Sequence, residues 1–468
     1  MDFRDYSLED LSQDIKAKKV SALEVTQAAL DNIDKFDVKI NAFCSVNHED
    51  AIAQAKDIDS RIQKGDEVGK LAGIPIGVKD LEDAKGFITT FGSSLHVNDK
   101  VAENDSILVK RMRDQGCVIL GKTNTPEFGH KGKTDNIPFG ATKNPWNLKY
   151  SSGGSSGGTS AAIAAGMIPL GTGSDGGGSI RIPAALGGLA GIKTSQGRIP
   201  IGGDTPPGSG LLTVKGPMAY RTKDSALALD ATVGQHPTDI FSLESENIDW
   251  FNQLGEELPE SAIWSPTMGF STVDKEVLSH CEKAINLLSD AGVKIIEKET
   301  IWEKNPVDSW LVFWASACAR RQQHLIDTEE FEKIDPLLRM FIEMGKTMDG
   351  ASYASSIDEC HRLGYQLQKS FEESPLIITP ATCGQAPEIE GDGFVNGEET
   401  AAWVDFTMGI NMTRNPAGVI PISVLDSGLP ASIQVIGGQR RDLDVLKAMH
   451  SFEQVINFSE KAANHEDS

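Results

Sequence analysis

Cysteine is sparse and patternless in this chain. Cys44, Cys117, Cys281, Cys318, Cys360 and Cys383 lie far apart, with no CxxC pair and no disulfide framework. We read them as reduced core residues. The nine histidines include no HExxH and no pair at i, i+4, so a helix-borne zinc site has nothing to start from, and neither a metal nor a cofactor is expected. Positive charge is also short: Lys plus Arg number 44 against 67 Asp plus Glu, a net charge of −23. Such a surface repels phosphate backbones and anionic bilayers, so no nucleic-acid or membrane partner is expected. No apolar run is long enough to span a bilayer, and the start, MDFRDYSLEDL, lacks both a basic segment and an apolar signal core. The expectation is a cytoplasmic protein, monomer or homodimer, acting on a small molecule.

What is present suits a globular enzyme: 39% hydrophobic and 24% charged residues exclude disorder throughout. The 468 residues allow several ordinary domains or one large α/β unit, and with no internal repeat and no convincing linker we favour one unit over 1–468. Ser7 and Ser21 are N-cap candidates, and Ser21 with Glu24 forms a capping box ahead of Leu23, Leu30 and Ile33. Residues 72–80, AGIPIGVKD, change the period to two. Ile74, Ile76 and Val78 face one side, leaving Lys79 over the small residues of the other. A helix carrying Ile107, Leu108 and Met112 leads to a short strand, CVIL at 117–120; further strands are expected at VKII, 293–296, and ASIQVIG, 431–437. Residues 302–372 read as helices, and a helix to about residue 458 precedes a polar tail over 459–468.

Two nucleotide-like motifs fail on context. Gly116 to Thr123, GCVILGKT, has the P-loop spelling, but its middle residues want to be a buried strand instead of a bare phosphate cradle. Gly171, Gly173 and Gly176 form GxGxxG, yet the segment runs into GGGSIRIP with no acidic residue near twenty positions on. GGSSGG also satisfies GxSxG, but no apolar strand precedes it as a nucleophile elbow requires. An α/β-hydrolase reading with His450 as base stays as a rival.

The stretch Ser151 to Gly191 carries thirteen glycines in forty-one residues, roughly four times average usage. GGSSGGTS alone resembles a linker, but it feeds SAAIAAGMIPL, 160–170, a small-residue helix built to pack closely. Then Ser179 follows Gly176, Gly177 and Gly178, whose amides can converge on one point and hold a developing oxyanion. Ser179 is thus a candidate nucleophile. It needs a base, and no histidine lies between His130 and His236. Lys79 is the best candidate once burial lowers its pKa, with Ser155 or Ser156 as proton relay.

GIPIGVKD followed by GGSSGGTSAAIAAGMIPLGTGSDGGGSIRIPAALGGLAGIK resembles the amidase signature family. The likeness extends through GKTNTPEFG, NPWN, GRIP, GPMAYRTKD, NPAGVIP and GLPASIQVIGG, most of the chain. The resemblance implies an α/β fold with a large mixed, twisted sheet covered by helices on both faces, plus a helical insertion. It makes Lys79 the base, Ser155 the cis-serine and Ser179 the acylated nucleophile. Gly176, Gly177, Gly178 and the Ser179 amide match the oxyanion loop, with Asp175 and Arg181 bracing it and Ser156 in support. The signature core is placed at about 70–225 and a variable substrate-recognition region at about 300–375. Two departures stand out. Gly176 replaces a hydrophobic or Thr residue, loosening the loop unless packing fixes it, and Lys193, Thr194, Ser195 replace KPT.

The implied reaction is acyl transfer to water on an amide. The alternative within the family is the glutaminase subunit of the tRNA-dependent amidotransferase, whose characteristic features we do not find in the 380–420 region; a nucleotide-binding protein is the remaining reading. Trp302, Trp310, Phe313, Trp314 and Phe341 spot the variable region. Core packing is the plainer role for them. Trp310 and Trp314, one helical turn apart, together with Phe341 would favour aryl or bulky carboxamides, anilides, carbamates or esters if they line the cleft.

Overall fold

The computed structural model describes residues 1–203 and 212–463. Residues 204–211, inside the expected signature core, and 464–468, the end of the expected polar tail, lie outside the described residues.

The chain opens with three amphipathic helices, α1 (Leu8–Lys16), α2 (Ala22–Ile40) and α3 (His48–Lys64), with β1 (Phe43–Val46) between the second and third. Ser7 caps α1 by accepting from the Asp10 N–H. Ser21 and Glu24 form the reciprocal capping box on α2, which ends at Asn41 in the left-handed conformation. Then come β2 (Pro75–Lys79), α4 (Ile107–Asp114) and β3 (Val118–Thr123). Strand β3 runs past Gly121, where the sequence reading stops it. All of its residues are buried, so the P-loop spelling is a strand.

Two short hairpins follow, β4 (Asp135–Asn136) with β5 (Gly140–Ala141) and β6 (Lys143–Asn144) with β7 (Asn147–Ser151). The small-residue helix α5 (Gly157–Ala164) starts and stops earlier than the expected 160–170. Gly166 turns the chain, and Leu170 already begins β8 (Leu170–Asp175). The GxGxxG glycines 171 and 173 therefore lie inside a strand.

Helix α6 (Arg181–Gly187), β9 (Ala190–Lys193), β10 (Val214–Ala219), α7 (Thr222–Thr232), β11 (Ser261–Trp264), α8 (Lys275–Asp290) and β12 (Lys294–Glu297) continue the alternation. The insertion consists of α9 (Val307–Gln322), α10 (Pro336–Thr347) and α11 (Gly350–Phe371). The chain closes with β13 (Leu376–Pro380), the hairpin β14 (Phe394–Val395) and β15 (Glu398–Glu399), α12 (Asp405–Thr413), β16 (Ala417–Val424), β17 (Pro430–Gly437) and α13 (Asp442–Ile456).

Eleven strands form one mixed sheet in the order β1-β3-β2-β8-β10-β9-β16-β17-β13-β11-β12. The pairs β2/β3, β2/β8, β11/β12 and β11/β13 are parallel and the others antiparallel. Strands β2, β3, β8, β13 and β17 are buried along their whole length. They are thus interior strands, covered on both faces. No helix of the described residues is long and apolar enough to cross a membrane.

Replacing Ser21 by Ala should lower stability by about 1 kcal/mol through loss of the cap. A urea midpoint unchanged from the parent would show that the first helix layer does not depend on it.

Candidate active site

Strands β2 and β8 run parallel, with Ile76 opposite Leu170 and Gly77 opposite Gly171, so both deliver their C-terminal ends to one sheet edge. Lys79 ends β2, and the Asp175–Ser179 loop leaves the end of β8. The loop before α5 brings in Ser155 and Ser156, and the Gly154–Ser155 peptide is cis. Lys79 Nζ donates to Ser155 Oγ at 2.8 Å, Ser156 Oγ at 2.9 Å and Ser174 Oγ at 3.0 Å. The Ser156 N–H donates to the Ser179 carbonyl at 3.2 Å, tying the two serine segments together. Ser174 is a neighbour that the sequence reading missed; its place on β8, one residue before the loop, was the available signal.

Lys79 is fully buried. Burial, with Lys215 adding a like charge, pushes its ammonium well below the usual lysine range, against the opposite pull of Asp175. The nearby carboxylates are engaged elsewhere. Asp80 accepts from Lys122 Nζ at 2.9 Å and from Thr90. Asp175 accepts from Arg181 Nε at 2.9 Å and Nη2 at 3.0 Å. Burial alone would raise the Asp175 pKa, but Arg181, Lys193 and Asn411 hold it well below the carboxylate range.

The glycine loop is shaped from outside. Asp175 Oδ1 accepts from the Gly178 N–H at 2.7 Å. Trp310 Nε1 donates to the Gly176 carbonyl at 2.9 Å, so packing does fix the residue that the family pattern would make bulkier. Thr407 Oγ1 donates to the Gly177 carbonyl at 2.6 Å. Asn411 Nδ2 donates to Asp175 Oδ1 and its carbonyl, each at 2.9 Å. Two glycines are required here by space. A Cβ on Gly177 would stand 2.6 Å from the Trp310 ring, and Gly178, at φ +125°, would drive one into Thr407. Thr407 and Asn411 carry no sequence signal, because α12 reaches the loop from more than two hundred residues away.

Gly177 and Ser179 are only partly buried and open onto a cavity of roughly 520 Å³. Trp310, Trp314 and Phe341 all line it, with Leu337, Met340 and Trp403. Trp310 and Trp314 stack with ring centres 5.0 Å apart. The other two aromatics of the segment took the core role: Trp302 is buried with its Nε1 on the Leu363 carbonyl, and Phe313 packs edge-on to Tyr353.

The rival arrangements are not assembled. His450 lies on α13 beside Glu453, outside the cavity lining. Lys122 of the P-loop spelling is buried on Asp80 and Thr89. Among the described residues no group of three His, Cys, Asp or Glu could hold a metal ion.

The chain belongs to the amidase family, whose profile matches residues 24–446, and its fold is that of the amidase signature enzymes, amide hydrolases acting on C–N bonds. It is similar to an acylamidase of Rhodococcus erythropolis, 31% identical over 97% of this chain and 96% of that one. It is also similar to the A subunit of glutamyl-tRNA(Gln) amidotransferase from Protochlamydia amoebophila, 32% identical over 94% of each. The crystal structure of a bacterial aryl acylamidase superposes with a TM-score of 0.90 at 28% identity, covering 96% of both chains.

Arg181→Met leaves the Asp175 carboxylate buried without its cation. The expected cost is about 3–5 kcal/mol in urea unfolding. A loss below about 1 kcal/mol would mean that Asn411 and the backbone amides suffice to hold it.

Proposed function

We propose that this protein is an acylamidase that hydrolyses aryl or bulky carboxamides through an acyl-enzyme on Ser179. Anilides, carbamates and esters with aryl or bulky groups belong to the same proposed range. The observation that carries the reading is the aromatic cavity opening directly on Ser179. We treat residues 1–468 as one catalytic unit, since a single sheet gathers strands from Phe43 to Gly437.

In this reading Ser179 Oγ attacks the carbonyl carbon while its proton passes to Ser155 Oγ, and the Ser155 proton passes to neutral Lys79 Nζ. A serine hydroxyl, donor and acceptor at once, suits that relay. The oxyanion is assigned to the amides of Gly177 and Ser179, the two loop residues that line the cavity. The Gly178 amide is already given to Asp175, and Gly176 is buried with its carbonyl on Trp310. Collapse expels the amine, which takes the proton back through Ser155. Water then repeats the sequence on the acyl-enzyme.

The glutaminase reading draws on the likeness to the amidotransferase relatives. Free glutamine presents an α-ammonium and an α-carboxylate, which need charged partners, and the lining includes Lys131, Lys133, Asp308, Asp392 and Asp405 beside its apolar wall of Trp, Leu, Met and Phe. What favours the stand-alone hydrolase is the stacked Trp310–Trp314 pair on the cavity that Ser179 also lines. Comparing acetanilide with glutamine, using the purified chain alone, separates the two.

Ser179→Ala should abolish labelling by a sulfonyl fluoride and acyl-enzyme formation while the fold is kept. Labelling that persisted at Ser155 or Ser156 would move the nucleophile.

Lys79→Ala should cost several orders of magnitude in kcat, with His450→Ala near neutral. Because Lys79 must be neutral to accept a proton, kcat/KM should rise with pH along one acid limb, its midpoint well below the ordinary lysine range. An acidic optimum, or activity lost in EDTA and restored by zinc, would show that another group activates the nucleophile.

A further inference from the structure

Helix α10 supplies one wall of the cavity through Leu337, Met340 and Phe341, yet it is held to the catalytic core in an unusual way. It buries only Leu338 and Ile342, which pack with Cys318, Leu325 and Ile334 in a small apolar cluster separate from the main core. Leu337 and Met340 stay 37% and 50% exposed at the rim. Gly345 lets α10 close on the Ala315 backbone of α9, which ties the two helices together and leaves the N-terminal end of α10 to be fixed by polar contacts.

A polar knot at the helix N-terminus ties that end to the segment beside Ser155. Asp335 is the N-cap, its Oδ1 accepting from the Leu337 N–H at 2.8 Å, while its own N–H donates to Glu127 Oε2 at 2.6 Å. Its carboxylate also meets Lys131 Nζ at 2.8 Å and lies 3.2 Å from His130 Nε2. Lys131 is shared with Asp135, also at 2.8 Å, and His130 Nδ1 stands 2.7 Å from the Glu127 carbonyl oxygen. Burial would raise the Asp335 pKa, but His130 and Lys131 hold it well below the carboxylate range. The other end of the knot is the loop at the reaction centre. His130 and Lys131 line the cavity, and Gly129 sits so close to Ser155 that a Cβ there would be 3.1 Å from its Oγ.

We infer that Asp335 is a specificity-determining positioning residue: its carboxylate sets where the α10 wall stands relative to Ser179, and so how tightly an aryl substituent is held. The inference rests on the aryl-amidase reading of the cavity and extends it to a residue that touches no substrate. Asn is as good an N-cap as Asp, so Asp335→Asn keeps the helix start and the backbone bond to Glu127 while deleting the charge that grips His130 and Lys131. Lys131→Gln severs the same tie from the opposite side.

The test measures kcat and KM of the full chain for acetanilide, benzamide and propionamide, together with the rate of sulfonyl fluoride labelling at Ser179. For Asp335→Asn we expect KM for the aryl amides to rise about tenfold or more with kcat within about threefold. Propionamide kinetics and the labelling rate should stay near those of the parent. Lys131→Gln should shift the aryl KM in the same direction, and the double variant should add little to either single change, since both cut one tie. Equal losses on all three amides, or strictly additive effects, would overturn the inference in favour of general structural damage. An unchanged aryl KM in Lys131→Gln would overturn it too, even if the Asn variant does not fold. A parent enzyme that labels at Ser179 but shows no aryl preference would instead remove the aryl reading, and this inference with it.

Discussion

A loop made of three glycines has no side chains with which to hold its own shape, so everything at this site depends on the buried Asp175–Arg181 pair. Asp175 takes two guanidinium bonds and the Gly178 amide. Arg181 Nη1 reaches Gln434 on β17, and Nη2, which also serves Asp175, lies within hydrogen-bond distance of both Asn411 Oδ1 and the Thr407 carbonyl on α12. One ion pair thereby joins the end of β8 to two distant elements. A buried pair of this kind is weak evidence of net stability, because desolvation offsets much of the attraction. Its contribution lies in orientation: the donors of a planar guanidinium are satisfied in only one arrangement of the chain.

The same charge arithmetic prepares the lysine. Two carboxylates lie close to Lys79, and each is bound to a cation of its own, Asp80 to Lys122 and Asp175 to Arg181. Lys79 is left among serine oxygens, in a dry site with Lys215 near it. Burial then favours the neutral amine, the form that can take a proton. The fold achieves this by pairing off the competing charges.

The candidate centre and the proposed substrate wall are built differently. Lys79, Ser174 and the glycine loop stand on strands buried through their length and are tied by backbone registry. The wall comes from a helical insertion with its own small apolar cluster. Its contacts with the centre include the Trp310 indole on the loop and the Asp335 knot on the Gly129–Lys133 segment. On the proposed reading, placing the wall on a separate insertion lets it vary without altering the groups on the sheet.

Much of the centre was legible in the chain because its signals are local. Lys79 is recognisable from period-two alternation within nine residues, Ser179 from the triplet before it, and the Ser21 capping box from a three-residue spacing. The P-loop and GxGxxG spellings could be discarded on the same local grounds, and the chain runs as strand through both. Local reading failed where small residues are ambiguous: in SAAIAAGMIPL, composition does not mark where α5 ends and the turn into β8 begins. The aromatic insertion was undecidable for a related reason. Trp302, Trp310, Phe313 and Trp314 have equal reason to be buried, and only tertiary packing left Trp302 and Phe313 wholly in the core while Trp310, also buried, and Trp314 line the cavity. Thr407, Asn411, Gln434 and Asp335 lay beyond any sequence window, since each acts on a partner more than two hundred residues away. Candidate nucleophile, candidate base and glycine loop could be picked out of the chain alone, because residue type and short spacing specify them. What shapes the loop, what keeps the lysine from a carboxylate and what walls the cavity could not, because those depend on long-range hydrogen bonds and desolvation, which exist only once distant segments meet.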